Sequence, residues 1–538
     1  MTKIIIDGKT IECRDHIPVL QAALESGWDV PHYCYHPGLQ IVASCRLCLM
    51  EMKMPNPKTK EMDWAPKLFP SCQTPVKDGI EVRFASDKVK ENQQECMEYF
   101  LLNHPLDCPV CDQAGECHLQ DYSLRFGEAS SRMVEAKNKN PKKDIGSKTL
   151  LYQDRCVMCT RCVRFTNEIS GTGELAVIQR GSKAEIDIFP GIPLENELQG
   201  NVVDICPVGS LLDKDFLMKA ARLVFKRHQE HLPAAPPVAP SMWITTTAKS
   251  GGSSPASTRR QRLGMCDEGR FGWKYVHDPK RLNRLTVRRG AESEYPQWAA
   301  LDEIVRLRLT GSVKENGAEK VAVMLSPFMS CEEAWLLAKF IREIATDALL
   351  AIGPIPVGGE DKKFPMGDGK PVKFTINAEK CPNKRGIEMV LSAMGGRTCA
   401  FDDFVKKAAA GEFAAAWIVG GYPGEWVTKE LASAAAKINM LIAQDILPNA
   451  VTESAKVVIP SCSWAERSGT FVNGQGKIQP FEAAINPIEG CQRDGQYLSA
   501  LNGASGLFNA ESVRSLMVEK MPLFAQLHVP PEMPAHAH

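Results

Sequence analysis

The chain has no run of eighteen consecutive apolar residues, so no stretch of it is long enough to cross a bilayer as a helix. It has no surplus of charge: 64 Lys and Arg stand against 64 Asp and Glu. Without a net field to draw phosphates, nucleic acid and anionic membrane surfaces are excluded as leading partners. No Gly-rich dinucleotide fingerprint follows an N-terminal strand, so a nucleotide cofactor is expected on a partner rather than here. The N-terminus lacks a secretory core, because in Met1-Thr2-Lys3-Ile4-Ile5-Ile6-Asp7 the apolar run ends at once. These absences predict the cytoplasmic side, where thiols stay reduced and cysteine serves metals or catalysis rather than disulfides.

Cysteine is what the chain does have. Thirteen of its 19 cysteines fall in the first 206 residues, mostly at short spacings, and the other six lie far apart. With 538 residues, 44% hydrophobic and 24% charged, the composition is globular, with room for roughly three or four domains.

Lys3–Ile6 and Thr10–Cys13 flank Asp7-Gly8-Lys9 as a β-hairpin, and a helix over Val19–Leu24 follows, stopping near Gly27. With the cysteine-bearing loop from Pro31 to Cys48, this is the order of a β-grasp ferredoxin. A helix is predicted over 88–103 and a polar boundary or excursion over 130–148. Residues 226–264, with prolines 233, 236, 237 and 240 and a Ser/Gly run, show no apolar period and read as linker or disorder. From about 290, strand-like runs (Val321–Leu325, Ala416–Gly421, Met440–Ala443) alternate with helices near 331–345 and 427–437. Alternation of this kind predicts an α/β domain with a largely parallel sheet. The last dozen residues are expected to fray.

Three ligand sets stand out. Cys34, Cys45, Cys48 and Cys72 give C-x10-C-x2-C with a later fourth cysteine. Thiolates suit iron–sulfur clusters and zinc alike, but structural zinc usually takes paired C-x2-C knuckles. The ferredoxin-like frame therefore favours [2Fe–2S], and the small Ala43 and Ser44 let backbone N–H groups approach the sulfurs. His104, Cys108, Cys111 and Cys117 give H-x3-C-x2-C-x5-C. Alone, that spacing fits zinc and [4Fe–4S] about evenly; its place between two ferredoxin-like sites favours the cluster. A neutral imidazole in place of a thiolate removes one negative charge and raises the potential. Cys156, Cys159, Cys162 and Cys206, the last followed by Pro207, form the most specific set. Two-cluster ferredoxins repeat C-x2-C-x2-C-x3-C-P, each fourth cysteine serving the other cluster. Counting on and back puts Thr166, Asn196, Gln199 and Val202 at the second cluster's ligand positions. One [4Fe–4S] site remains in a two-cluster frame. Cys96, Cys13, Cys331, Cys381, Cys399, Cys462 and Cys491 read as free, buried cysteines.

Two stretches, His104–Cys117 and Arg155–Cys162, resemble motifs of the 75-kDa family, the large iron–sulfur subunits of respiratory NADH:quinone oxidoreductase (complex I). The segment Glu466–Gln479 resembles the E-x-x-G-T-x-x-N-x-x-G-x-x-Q segment of molybdopterin oxidoreductases. The resemblance implies an α+β then α/β chain. A [2Fe–2S] β-grasp ferredoxin domain occupies 1–80, and a [4Fe–4S] domain with one histidine and three cysteine ligands occupies 81–121. A single-cluster ferredoxin-like domain follows over 140–220, then a degenerate iron–sulfur domain over 221–285. A molybdopterin-oxidoreductase-like α/β domain covers 286–515, and a tail 516–538. Met329 stands near that superfamily's metal-ligand position, so no molybdopterin is expected. Many relatives carry a further cysteine cluster where only Cys266 stands here. Natural loss and a frame-shifted stretch within 226–264 both account for that, and the DNA read in its other frames separates them.

The implied function is a relay of single electrons through one [2Fe–2S] and two [4Fe–4S] clusters, with no catalytic residue on this chain. The implied partners are the flavin-bearing, NADH-binding subunit and the iron–sulfur subunits of the quinone module. The implied place is peripheral, on the cytoplasmic face of the inner (plasma) membrane, touching it only through the complex. A formate-dehydrogenase-like or hydrogenase-associated subunit, and a zinc-stabilised scaffold, are the competing readings.

Overall fold

The computed structural model describes residues 1–528 except 57, 59, 219–224, 232–239, 247–248, 256–264, 291 and 368. For 225–231, 240–246, 249–255, 374 and 526–528 it describes the backbone alone. The expected fraying from Pro530 onward lies outside the described residues.

The predicted N-terminal hairpin forms: Thr2–Ile6 pairs antiparallel with Lys9–Cys13, turning through Asp7 and Gly8, both at positive φ. Thr2–Ile6 also pairs in parallel with Glu81–Arg83, which continues to Leu49–Pro55. Alternation sends Ile4 and Ile6 inward, where helix Val19–Glu25 lays Val19, Leu20, Ala22 and Ala23 over them. This is the expected β-grasp arrangement. The next helix, Asp87–Leu101, starts where the Ser86 side chain accepts from the N–H of Val89.

The polar stretch over 130–148 is not wholly a boundary. Its Lys142–Asp144 forms an edge strand on Thr149–Tyr152, which pairs in turn with Leu211–Asp213. That sheet brings the chain back on itself around the third cysteine set. The linker expected over 226–264 is corrected in part: Phe225–His231, Pro240–Thr246 and Lys249–Pro255 form an antiparallel three-stranded sheet. Backbone pairing needs no apolar period, which is why composition missed it.

The back half is built on an eight-stranded sheet in the order Glu292–Glu294, Thr286–Arg289, Val457–Pro460, Met440–Asp445, Ala415–Val419, Val321–Leu325, Leu349–Ile352, Thr398–Cys399. The last six are parallel, and the first two join antiparallel. Strand alternation divides the core in two. Val321, Val323 and Leu325 face helices Leu301–Asn316, Cys331–Ile344 and Lys384–Met394, whereas Ala322 and Met324 face Phe401–Ala409 and Lys429–Ala435. Both faces being covered explains the unbroken apolar runs. Trp417 and Phe340 meet edge to face at 6.4 Å in the larger half. Among the described residues no helix is long and apolar enough to cross a membrane.

Candidate metal centres

Cys34, Cys45, Cys48 and Cys72 are all buried. The loop that brings them together turns through Ala43 and Arg46 at φ of 50° and 59°, which points successive amides inward. Cys34 Sγ lies 3.5 Å from Cys45 Sγ. It also takes hydrogen bonds from the Cys72 thiol and from the backbone N–H groups of Cys45 and Ser44. Cys72 bonds Cys48 as well, and the Tyr33 N–H donates to Cys45 Sγ at 3.5 Å. Hydrogen bonds from Cys45 and then Cys72 pull Cys34 toward the thiolate, and the same contacts push Cys45 and Cys72 up. Four buried thiols with backbone amides donating to Cys34 and Cys45 fit a cluster held by sulfur.

Cys156, Cys159, Cys162 and Cys206 line one cavity with Leu151, Ile186 and Leu211. Met158 and Thr160 adopt positive φ of 49° and 59°, so the short C-x2-C-x2-C loop wraps its amides inward; Met158 N–H donates to Cys156 Sγ at 3.4 Å. Burial, reinforced by the neighbouring thiols, pushes Cys156 up to about 12. Burial pushes Cys159 up to about 11 against the pull of Arg161, and raises Cys162 and Cys206 too. The thiols are therefore protonated until a metal displaces the protons. Four thiols lining one apolar cavity fit the ligand set of a cluster.

The second set is only partly assembled. Cys108 is exposed, Cys111 half-buried and Cys117 buried, and each of the last two is raised first by burial and further by its fellow cysteines. His104 is held down to about 4 by burial and then by the charges of Arg155 and Lys137. Its imidazole is thus neutral, as a ligand must be. No described contact joins it to the three sulfurs. A Cβ on Gly209, beside the third set, would meet Cys111 Sγ at 2.3 Å, so the second and third ligand loops approach as closely as glycine permits. Among the described residues, no three His, Cys, Asp or Glu side chains converge on a single-ion site.

The positions read as a vanished fourth site are packed. Thr166, Asn196, Gln199 and Val202 are all buried, with Asn196 Nδ2 donating to Glu174 at 3.0 Å and Val202 in the core with Phe165 and Ile169. Cys266 is buried and its neighbour Met265 is tied to Asn201.

Sequence reasoning quoted Arg155 and Arg161 only as motif letters and passed over Arg164. All three are buried, and each ties the third loop to another part of the metal region. Arg155 Nη2 bonds Asp107, next to Cys108, at 2.8 Å. Arg161 reaches the carbonyls of Tyr35 (2.7 Å) and Ile205 (3.2 Å). Arg164 Nη2 reaches those of Cys34 (2.6 Å) and Cys159 (3.0 Å). The available signal was three arginines spaced among ligand cysteines in an apolar stretch, where an unpaired cation is costly.

In the back half, the molybdopterin-oxidoreductase-like segment is spent on internal bonds. Glu466 grips buried Arg281 at 2.7 Å, Thr470 Oγ1 donates to Glu332 at 2.6 Å, and Asn473 accepts from the N–H groups of Gln475 and Lys477. Met329 is buried in the larger core.

Four sequence families match parts of the chain. A 2Fe-2S iron-sulfur cluster binding domain matches residues 1–87, and the NADH-ubiquinone oxidoreductase-G iron-sulfur binding region matches 93–132. The ferredoxin-like domain of NADH-quinone oxidoreductase subunit 3 matches 146–212, and molybdopterin oxidoreductase matches 394–504. The G subunit of NADH-quinone oxidoreductase from Rickettsia bellii is 32% identical over 64% of this chain and 48% of its own length. That of Rickettsia typhi is 32% identical over 64% and 49%. The mitochondrial NADH dehydrogenase (ubiquinone) iron-sulfur protein 1 of Solanum tuberosum is 39% identical over 40% and 28%. The chain spans about half the length of the Rickettsia relatives. A chain of the NAD+-reducing [NiFe]-hydrogenase in the H2-reduced state aligns over 41% of this chain and 90% of its own, at 24% identity and a TM-score of 0.36. By the family matches, the iron–sulfur, ferredoxin-like and molybdopterin-oxidoreductase domains stand in the expected order.

Proposed function

We propose that this chain, whose homologues are the G subunits of NADH-quinone oxidoreductases, is the electron-relaying iron–sulfur subunit of such a complex. The observation that carries this reading is that sulfurs of all three ligand sets share one buried apolar cluster: Cys34 and Cys45 from the first, Cys117 from the second, Cys159 from the third. Cys34, Cys45, Cys48 and Cys72 would hold a [2Fe–2S] cluster, and Cys156, Cys159, Cys162 and Cys206 a [4Fe–4S] cluster. Cys108, Cys111 and Cys117 would hold a second [4Fe–4S] cluster with His104 as fourth ligand, its neutral imidazole supporting that role. When bound, such clusters take up and release single electrons.

The chain's own residues hold the ligand loops, keep water out and donate N–H bonds to sulfur. The hydrogen bonds of Arg155, Arg161 and Arg164 join the third loop to both others. In this reading electrons come from a flavin-bearing, NADH-binding partner and leave toward a quinone-reducing module, on the cytoplasmic face of the inner membrane. The back half serves as scaffold, its motif residues Glu466 and Thr470 being engaged by Arg281 and Glu332 of the same chain.

Protein purified without air is expected to hold about ten irons per chain with matching acid-labile sulfide, and to give cluster EPR signals after dithionite. Zinc in those positions, or a colourless, EPR-silent protein, overturns the reading; molybdenum at one per chain favours a terminal oxidoreductase instead.

A further inference from the structure

Arg161 sits between two ligands of the third set, Cys159 and Cys162, and is 5% exposed. A buried guanidinium must find partners for its five N–H groups or lose the solvation it had in water. Its Nη1 donates to the Ile205 carbonyl, one residue before Cys206, at 3.2 Å. Its Nη2 donates to the Tyr35 carbonyl, one residue after Cys34, at 2.7 Å. Its Nε has no partner among the described residues, and Arg161 lines the same cavity as the four thiols of the third set. Among the described residues no salt bridge pairs it with a carboxylate. By contrast, Arg155 is anchored on Asp107 at 2.8 Å, and the Arg164 Nε is satisfied by Thr160 Oγ1 at 3.3 Å. Of the three arginines only Arg161 has an Nε–H without a partner, and it shares its cavity with the four thiols of the third set.

We propose that Arg161 serves the third site directly. Its Nε–H donates to sulfur of the cluster held by Cys156, Cys159, Cys162 and Cys206, while its two terminal nitrogens fix that site against the backbone beside Cys34. A cation and a hydrogen bond at the sulfurs stabilise the more negative, reduced state, so Arg161 makes the third site easier to reduce. The same side chain, with Arg164 in parallel, holds the first and third sites at a set separation. This rests on the reading of both sites as iron–sulfur centres.

The test uses the full chain, purified without air, as wild type, Arg161→Gln and Arg161→Lys, with Arg125→Gln as a surface control; Arg125 pairs with Asp29 at a half-exposed position. Iron content comes first: a wild-type chain without iron defeats the iron–sulfur reading itself, before Arg161 enters. With iron present, the reduction equilibrium of each site is measured by EPR-monitored redox titration. Arg161→Gln is expected to disfavour reduction of the third site at least tenfold, about 59 mV for one electron, and that of the first site by less. Its magnetic coupling to the first site should change in the same variant. Arg161→Lys keeps the charge and should recover most of the shift without restoring the coupling. Arg125→Gln should change neither. A third-site equilibrium within twofold of wild type in an iron-loaded Arg161→Gln chain overturns the proposal. If the Gln variant loads no iron, the Lys variant decides: unchanged coupling between first and third sites then overturns it.

Discussion

The front 212 residues and the back half solve the same folding problem with different materials. Behind residue 286, two continuous hydrophobic layers sandwich a mostly parallel sheet. The buried charges there answer one another, as in Arg281–Glu466, Arg467–Glu333 and Arg514–Glu332. In front, the apolar clusters are smaller and are interrupted by thiols, and the buried arginines mostly answer backbone carbonyls. The back half carries the two largest apolar clusters. In the proposed reading the front region is arranged around clusters it must acquire, so its stability and its loading are one quantity.

The largest test of that contrast removes a ligand. Cys206→Ala is expected to cost about four irons of about ten and to unfold residues 140–212, seen as rapid proteolysis there while the back half stays protected. Protection that survived in front would mean the front third folds without its metal. Next is Gly209→Ala. Its new methyl would sit 2.3 Å from Cys111 Sγ, so the second site should empty and the first remain, read as selective loss of one EPR signal.

The reciprocal experiment strikes the back half. Glu466→Ala strands buried Arg281, which should destabilise the protein by about 3–5 kcal/mol in denaturant titrations and leave iron content untouched. Iron loss in parallel would show that the halves are not energetically separate. The smallest effect concerns pH. Burial, against the opposing charge of Arg467, raises Glu333 to about 7, above its ordinary 4.5. The fold therefore binds more protons than the unfolded chain between those values, and stability should fall as pH rises from about 4.5 to about 7. Glu333→Gln should flatten that slope in thermal melts, with no change in EPR.

Much of this was legible in the residues. Ferredoxin-like hairpin, parallel sheet and the helix near 331–345 follow from turn residues and apolar periodicity, which are local. The structure adds a capping box closed by Ser330 and Glu333 at the start of that helix. The sheet of Phe225–His231, Pro240–Thr246 and Lys249–Pro255 was not legible, because backbone pairing needs no apolar period. Met329 and the Glu466–Gln479 segment could be named from the sequence, but only their burial and internal bonding say how they are used.

What the sequence by itself determined is which side chains are soft donors and how they are grouped, since thiol chemistry and close spacing do not depend on the fold. What only the tertiary structure decided is how the groups meet. Arg164 touches Cys34 across 130 residues of chain, Gly209 abuts Cys111, and the third loop, last along the chain, is joined by hydrogen bonds to both of the others. Spacing within a loop is set by a few dihedrals. Contact between loops is set by packing over the whole domain, where every element must agree before any one distance is fixed.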